Sequence, residues 1–223
     1  DGQQFFELVA QEPVNLDGGK AFYHLVNEIT FDEQVVEKMA VGIHSMYSLV
    51  FSIQPGRDPL SITSQEFLAH MDKMKALPEG MPHDEVSQNY HNARKIPEKL
   101  AAVGLAIVPS GVNLPAAELD AARREAISRM EHIRWVRHHI DSGWSYAPKK
   151  DKPARLHDAL VPWDDQESLE IEAVYGKKYA ARMGKGKGII LNEPYRDLDR
   201  VITMAIPWIL EVVGYKIVLM NQD

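Results

Sequence analysis

The feature that most constrains this chain is a stretch of thirteen residues that occurs twice, at 96–108 and at 206–218. Seven of the thirteen positions carry the same residue at a constant offset of 110. In the first copy these residues are Ile96, Pro97, Leu100, Val103, Gly104, Ile107 and Val108. Such a match is hard to obtain by chance, because it includes a proline within a helical pattern. The sequence therefore predicts a tandem pair of related units.

Each copy predicts the same local structure. Gly104 and Gly214 stand where a helix ends in a left-handed residue, a conformation that only glycine adopts without steric cost. A short β-prone run follows each glycine. Pro97 and Pro207 each remove one backbone donor, so they either bend the helix or mark its first turn. We expect both units to close with a helix of the same shape, followed by a strand.

A second internal match lies on the opening helices of the two units. His44 and Tyr47 correspond to His132 and Trp135 at an offset of 88. Because the closing helices are offset by 110, the second unit holds 110 − 88 = 22 additional residues between its helices. We place them in the segment 166–193, whose first part is acidic and whose second part is basic.

Composition narrows the class of protein. A hydrophobic content of 45% and a charged content of 26% are typical of a globular chain, and no apolar run is long enough for a bilayer. The absence of cysteine excludes disulfides and thiolate zinc sites and suits a cytoplasmic location. A net charge of −7 opposes direct nucleic-acid binding. The chain starts at Asp1 without a signal peptide, which predicts a piece of a longer protein.

The second unit carries a series of motifs, which are Met130-Glu131-His132-Ile133-Arg134-Trp135, Gly143-Trp144-Ser145-Tyr146, Asp151, Arg155, His157 and Leu160-Val161-Pro162-Trp163. These motifs resemble those of the RyR domain, the repeat first described in ryanodine receptors and also found in prokaryotic proteins. The resemblance covers about residues 116–218. In the first unit, only the opening and closing helices are similar. Ala147 and Asp158 depart from the pattern, since glycine and proline are usual there.

The resemblance implies a mainly α fold with short strands, in which two tandem RyR-like repeats are related by a pseudo-two-fold axis. We divide the chain into residues 1–29, an N-terminal extension or the tail of a preceding domain, residues 30–112, a first degenerate repeat, and residues 113–223, a second repeat. The resemblance further implies a regulatory module that binds an adenine-type nucleotide between its repeats. A fused effector or membrane domain would be its partner, and self-association into a homo-oligomer stays open.

Two aromatic residues are the main candidates for ligand binding. Tyr47 and Trp135 occupy equivalent positions, so a two-fold arrangement would set their rings on opposite sides of the junction between the units. A planar base stacked between them would gain roughly 1–3 kcal/mol per base. The alternative is that both rings are core aromatics that close the interface without a ligand.

Polar candidates flank these aromatics. Asn89 and Asp199 lie fifteen residues before the two stop glycines and suit a purine edge and a ribose hydroxyl, or else act as helix caps. Arg134 and Arg200 suit phosphate contacts, or else form surface salt bridges.

Histidines complete the candidate set without indicating catalysis. His44 and His132 share a helix face with the aromatics, and we expect them to form hydrogen bonds at the interface. Glu131 and the adjacent His132 could act as an acid–base pair. The sequence has no nucleophile elbow and no cysteine, however, so it does not indicate a catalytic nucleophile. No two histidines are spaced i, i+4, so we expect no metal site and no cofactor. The sequence predicts a non-catalytic sensor of a nucleotide-type signal. The alternative is a protein–protein scaffold without a ligand.

Overall fold

A computed structural model describes residues 31–220, and it is mainly helical with a few short strands. The elements are α1 (Glu33–Ser52), a 3-10 turn (Pro59–Ser61), α2 (Ser64–Met71), α3 (His83–Ala101), β1 (Leu105–Pro109), α4 (Ala121–Asp141), β2 (Ser145–Tyr146), β3 (Leu156–His157), α5 (Ser168–Tyr175), α6 (Lys177–Ala180), α7 (Glu193–Val212) and β4 (Tyr215–Leu219). The predicted extension, residues 1–29, lies outside the described residues. We call residues 31–112 the first half and residues 113–220 the second half.

The repeated stretch forms the same structure in both halves. Helices α3 and α7 begin 110 residues apart, at His83 and Glu193, and both end just before a glycine. Gly104 has a φ of 76° and Gly214 a φ of 86°, the left-handed conformation that a glycine stop needs. The two repeated prolines lie inside the helices rather than in their first turns.

The two strands after these glycines pair with each other. Strands β1 and β4 are antiparallel, and their register sets Ile107 opposite Ile217, which are also 110 residues apart. The strand pair is therefore symmetric about this point, with each half contributing an equivalent strand. A second sheet joins β2 and β3 over two residues each in parallel.

The four long helices pack so that each touches both halves. Helix α1 packs on α3 and α7, and α4 also packs on α3 and α7. Apolar residues from all four helices form one cluster, which includes Met39, Ile43, Ile96, Ile127 and Ile209, all fully buried. The two halves therefore share one core and bury their apolar surface against each other.

The charged segment 166–193 is largely folded onto the second half. It forms α5 and α6, and its apolar residues Ile171 and Tyr175 pack against Val136 and Ile140 of α4. Hydrophobic residues spaced along α5 thus attach this segment to the outer side of the second half. Within residues 31–220, no helix combines the length and the apolar character that a bilayer crossing requires.

Candidate functional site

A cavity of about 770 Å³ lies between the two halves. Helices α1 and α3 of the first half form one side of it, and α4, α7 and the loops around β2 and β3 form the other. Six of the nine predicted site residues line this cavity: His44, Tyr47, Asn89, His132, Trp135 and Asp199. They are three pairs of equivalent positions, so the cavity receives the same three positions from each half.

The aromatic side chains of the cavity differ in their surroundings. Trp135 packs against His139 at 3.9 Å between ring centroids and meets His157 edge-on at 5.0 Å. Trp144 contacts both of these histidines. Tyr47 makes no ring contact with any described residue. The two predicted stacking residues thus line one cavity without touching, with Trp135 held in an aromatic cluster and Tyr47 packed against the shared apolar core.

Two histidines of this cluster present fixed hydrogen-bonding groups. His139 donates from Nδ1 to the carbonyl of Trp135 at 3.1 Å, which leaves its Nε2 as an acceptor. His157 accepts at Nδ1 from the Ala159 N–H at 3.0 Å, so its proton is on Nε2. Burial lowers the pKa of His139 to about 3 and that of His157 to about 4, so both rings are neutral near pH 7. The cavity therefore offers one imidazole acceptor and one imidazole donor.

The closing helices α3 and α7 contribute the polar residues Asn89 and Asp199 to the cavity. Asp199 Oδ2 lies 3.5 Å from Nδ1 of His132, whose Nε2 donates to the Val161 carbonyl at 2.8 Å. Burial raises the pKa of Asp199, and His132 acts in the opposite direction. Asn89 donates to the carbonyl of Glu85 at 3.1 Å, which leaves its side-chain oxygen able to accept.

The helix-cap interpretation of Asn89 and Asp199 is wrong. Each lies six residues after the first residue of its helix, which is too deep to cap it. The cap positions are Pro82, which makes no side-chain bond, and Asn192, whose side chain accepts from the Tyr195 N–H.

Glu131 and Arg134 do not reach the cavity, because they are bound to each other in the interface between α3 and α4. The Glu131 carboxylate accepts from Arg134 Nη2 at 2.6 Å, from Lys99 Nζ at 2.9 Å and from Asn92 Nδ2 at 2.8 Å. Burial alone would raise the pKa of Glu131, but Arg134 and Lys99 outweigh it and hold the pKa at about 2. The predicted phosphate contact of Arg134 and the Glu131–His132 acid–base pair are therefore corrected to a buried ion network.

Arg200 is also outside the cavity. It donates to Glu125 at 2.9 Å, to Glu193 at 2.7 Å and to Asp197 at 3.0 Å. Its guanidinium group also lies over the ring of Trp163 at 5.7 Å. Three carboxylates already neutralise this side chain, so the predicted phosphate contact at Arg200 is replaced by a salt-bridge cluster.

The rim of the cavity carries residues that the sequence did not single out. Lys150 and Lys152, from the loop between β2 and β3, face Glu85 of α3, and Lys152 Nζ lies 3.1 Å from the Glu85 carboxylate. Phe51 also lines the cavity, and 75% of its surface is exposed. The loop lies within the motif region of the second half, but only its fold shows that it reaches the first half.

The histidine cluster does not form a metal site. Among residues 31–220, no group of three or more His, Asp or Glu side chains is placed to hold a metal ion. His139, His132 and His157 each use one ring nitrogen in a hydrogen bond with the backbone, so that nitrogen is not available to a metal ion.

Comparison with family models, with curated proteins and with solved structures finds no match for this chain. The RyR resemblance depends on the motif residues alone and stays a prediction.

Proposed function

We propose that this chain is a non-catalytic, cytoplasmic ligand-sensing module built from two RyR-like repeats in a pseudo-two-fold arrangement. It binds a nucleotide or nucleotide-derived signal between the repeats, with adenine-containing ligands favoured, and relays binding to a fused effector domain. One observation supports this above all: three matched pairs of residues, 88 or 110 positions apart, line a single cavity between the halves.

The size and aromatic content of the cavity suit a nucleotide. Small-molecule sites have volumes of about 300–1,000 Å³, and this cavity has about 770 Å³. A base that enters it meets Tyr47 on the first half and the aromatic cluster around Trp135 on the second. Stacking on such rings contributes roughly 1–3 kcal/mol per base.

The polar groups suit adenine and a sugar. The Asn89 side-chain oxygen and His139 Nε2 accept, while His157 Nε2 donates. Adenine carries an exocyclic amine donor beside ring-nitrogen acceptors, so it matches this mixture of donors and acceptors. Asp199 suits a ribose hydroxyl, because a carboxylate oxygen accepts a hydrogen bond from it.

Relay to an effector would use the shared core. A ligand that contacts both halves favours the relative position in which both sets of contacts are made, and it shifts the packing only by its difference in affinity for the two positions. Because α1 and α4 each pack on both closing helices, a change at the cavity reaches β1 and β4 through α3 and α7.

Calorimetry and thermal-shift measurements against adenine and guanine nucleotides, cyclic dinucleotides and ADP-ribose derivatives test the proposal. Tyr47→Ala should weaken binding of the best ligand by about 1–3 kcal/mol. Tyr90→Ala is the matched control, because Tyr90 lies on α3 outside the cavity and contacts Arg94 instead. Equal losses in the two variants, or no binding across the panel, would contradict the proposal.

The alternative function is a protein–protein scaffold. Leu169 favours it, since 81% of this apolar side chain is exposed on α5. Two results together would favour the scaffold over the sensor. No ligand of the panel would bind, and a protein partner would lose binding to Leu169→Ser but keep binding to Tyr47→Ala.

A further inference from the structure

The charges at the cavity identify where an anionic part of a ligand would bind. The arginines expected to contact phosphate are neutralised, Arg134 by Glu131 and Arg200 by three carboxylates. Among the described residues, the Lys and Arg side chains that line the cavity are Lys150 and Lys152, and the carboxylates that line it are Asp84, Glu85 and Asp199. Within residues 31–220, an anionic group of a ligand would therefore meet its cationic partners at the loop between β2 and β3.

Lys150 is the freer of these two lysines. It forms no ion pair with a described residue, whereas Lys152 is held by Glu85. Partial burial and the charge of Lys152 lower the pKa of Lys150, while Asp158 and Glu85 act in the opposite direction. An anion placed between the two ammonium groups would relieve their mutual repulsion, as opposite charges at contact distance stabilise each other.

The nearest carboxylates set the competition for this position. Asp158 already accepts from the Tyr195 hydroxyl at 3.0 Å, so it is partly satisfied. Glu85 is partly exposed and pairs with Lys152 at 3.1 Å across the mouth, from the first half to the second. Exposed pairs of this kind contribute little, so a better anion can replace Glu85.

We infer that Lys150 and Lys152 form a subsite for a phosphate-class group, and that this group displaces Glu85 as the partner of Lys152. His157 lines the same cavity, and the proton on its Nε2 can donate to a bound group, because its Nδ1 accepts from the Ala159 N–H. The inference rests on the proposed nucleotide function and assigns the phosphate end of the ligand to the rim, with the base toward Tyr47 and Trp135.

Calorimetry with adenosine, ADP and inorganic pyrophosphate tests the subsite. ADP should bind more tightly than adenosine, and the gain should shrink with increasing salt. Lys150→Gln should weaken ADP about tenfold, the loss expected for a hydrogen bond to a charged group, and leave adenosine unchanged. Lys149→Gln is the matched control, because Lys149 is the adjacent exposed lysine and does not line the cavity.

Glu85→Gln is the sharper variant because its effect has the opposite sign. Removing the competing carboxylate should strengthen ADP binding by up to about fivefold, the range for an exposed ion pair. A loss of affinity in Glu85→Gln, or equal effects of Lys150→Gln and Lys149→Gln, would overturn the subsite.

The pyrophosphate arm separates the two proposals. Pyrophosphate binding that Lys150→Gln abolishes, without any binding of adenosine or ADP, would keep the anion subsite and refute the nucleotide site. Adenosine binding that depends on Tyr47, with no gain from phosphate and no pyrophosphate binding, would refute the subsite and keep the nucleotide site. If none of the three probes binds, the subsite is refuted, and if no ligand of the wider nucleotide panel binds, the nucleotide site is refuted as well.

Discussion

Two helix interfaces at equivalent places in the two halves are built from opposite chemistry. Where α1 packs on α7, the buried residues are Ile43, Met46, Ile202 and Ile209; where α4 packs on α3, they are Glu131, Arg134, Asn92 and Lys99. The positions match by the two offsets, since 43 + 88 = 131, 46 + 88 = 134, 92 + 110 = 202 and 99 + 110 = 209. The first set is apolar, and the second is a hydrogen-bonded network of one carboxylate, two cations and an amide.

The difference shows what this arrangement of helices demands of its interfaces. Both sets of side chains fill the space between two helices, and the charged set is tolerated because the carboxylate of Glu131 accepts from Arg134, Lys99 and Asn92. Burying ions costs desolvation energy, so such a network is no stronger than an apolar one of similar volume. It is, however, far more sensitive to the loss of one member.

Glu131→Gln should have the largest effect on stability. The substitution keeps the shape of the side chain but leaves Lys99 and Arg134 as buried cations without a carboxylate, which should cost about 3–5 kcal/mol of unfolding free energy. Urea denaturation measures it. Glu125→Gln is the control on the same helix, because Glu125 pairs with the partly exposed Arg200, and it should cost less than about 1 kcal/mol. Similar losses in both variants would show that burial does not distinguish the two pairs.

Replacing the whole network by its counterpart should have the opposite outcome. The combined variant Asn92→Ile, Lys99→Ile, Glu131→Ile and Arg134→Met copies the first interface into the second. Unfolding free energy should stay unchanged or rise by up to about 4 kcal/mol, because buried ion networks are replaceable by apolar residues of similar volume. A less stable or less cooperative protein in urea would mean that the two interfaces differ in shape as well as in chemistry.

The buried histidines His139 and His157 of the second half should make the free energy of unfolding depend on pH. His157 has a pKa of about 4 when folded, against about 6.5 when unfolded. Below pH 6.5, the unfolded chain therefore binds a proton that the folded chain does not, so stability falls as the pH falls toward 4. For His157 the loss should reach about 2 kcal/mol at pH 5.

His157→Asn isolates this contribution from those of the other histidines. The asparagine oxygen can still accept from the Ala159 N–H, but it does not titrate. Urea denaturation at pH 7 and pH 5 should show a smaller drop for the variant than for the unmodified protein. An identical drop would assign the pH dependence to other groups.

The smallest effects should separate Tyr47, which makes no ring contact with a described residue, from Trp135, which contacts two histidine rings. Tyr47→Phe should change unfolding free energy by less than about 0.5 kcal/mol, because its hydroxyl makes no hydrogen bond with a described residue. Trp135→Phe should cost about 1 kcal/mol, since it disturbs the ring contacts with His139 and His157. Thermal unfolding of both variants measures the difference, and a larger loss at Tyr47 than at Trp135 would contradict this prediction.

Much of the fold could be predicted from the sequence because it follows from local preferences. The repeated stretch predicted a helix, a left-handed glycine and a strand in each half, and Gly104 and Gly214 have the positive φ values that this requires. Proline was harder to place, since its lack of an N–H allows both a first turn and a bend. The offset between helices also predicted which side chains share a face, and six of those residues line one cavity.

The sequence by itself thus determined the long helices, their stop signals and the equivalence of His44, Tyr47 and Asn89 with His132, Trp135 and Asp199. Only the tertiary structure decided which charges are free to meet a ligand. Arg134 is neutralised within its own helix, but Lys99 and Glu131 lie 32 residues apart, and Lys152 and Glu85 lie 67 apart. A charged side chain is neutralised by the residues that pack beside it, and contacts between residues distant in the sequence cannot be predicted from the spacing along one helix.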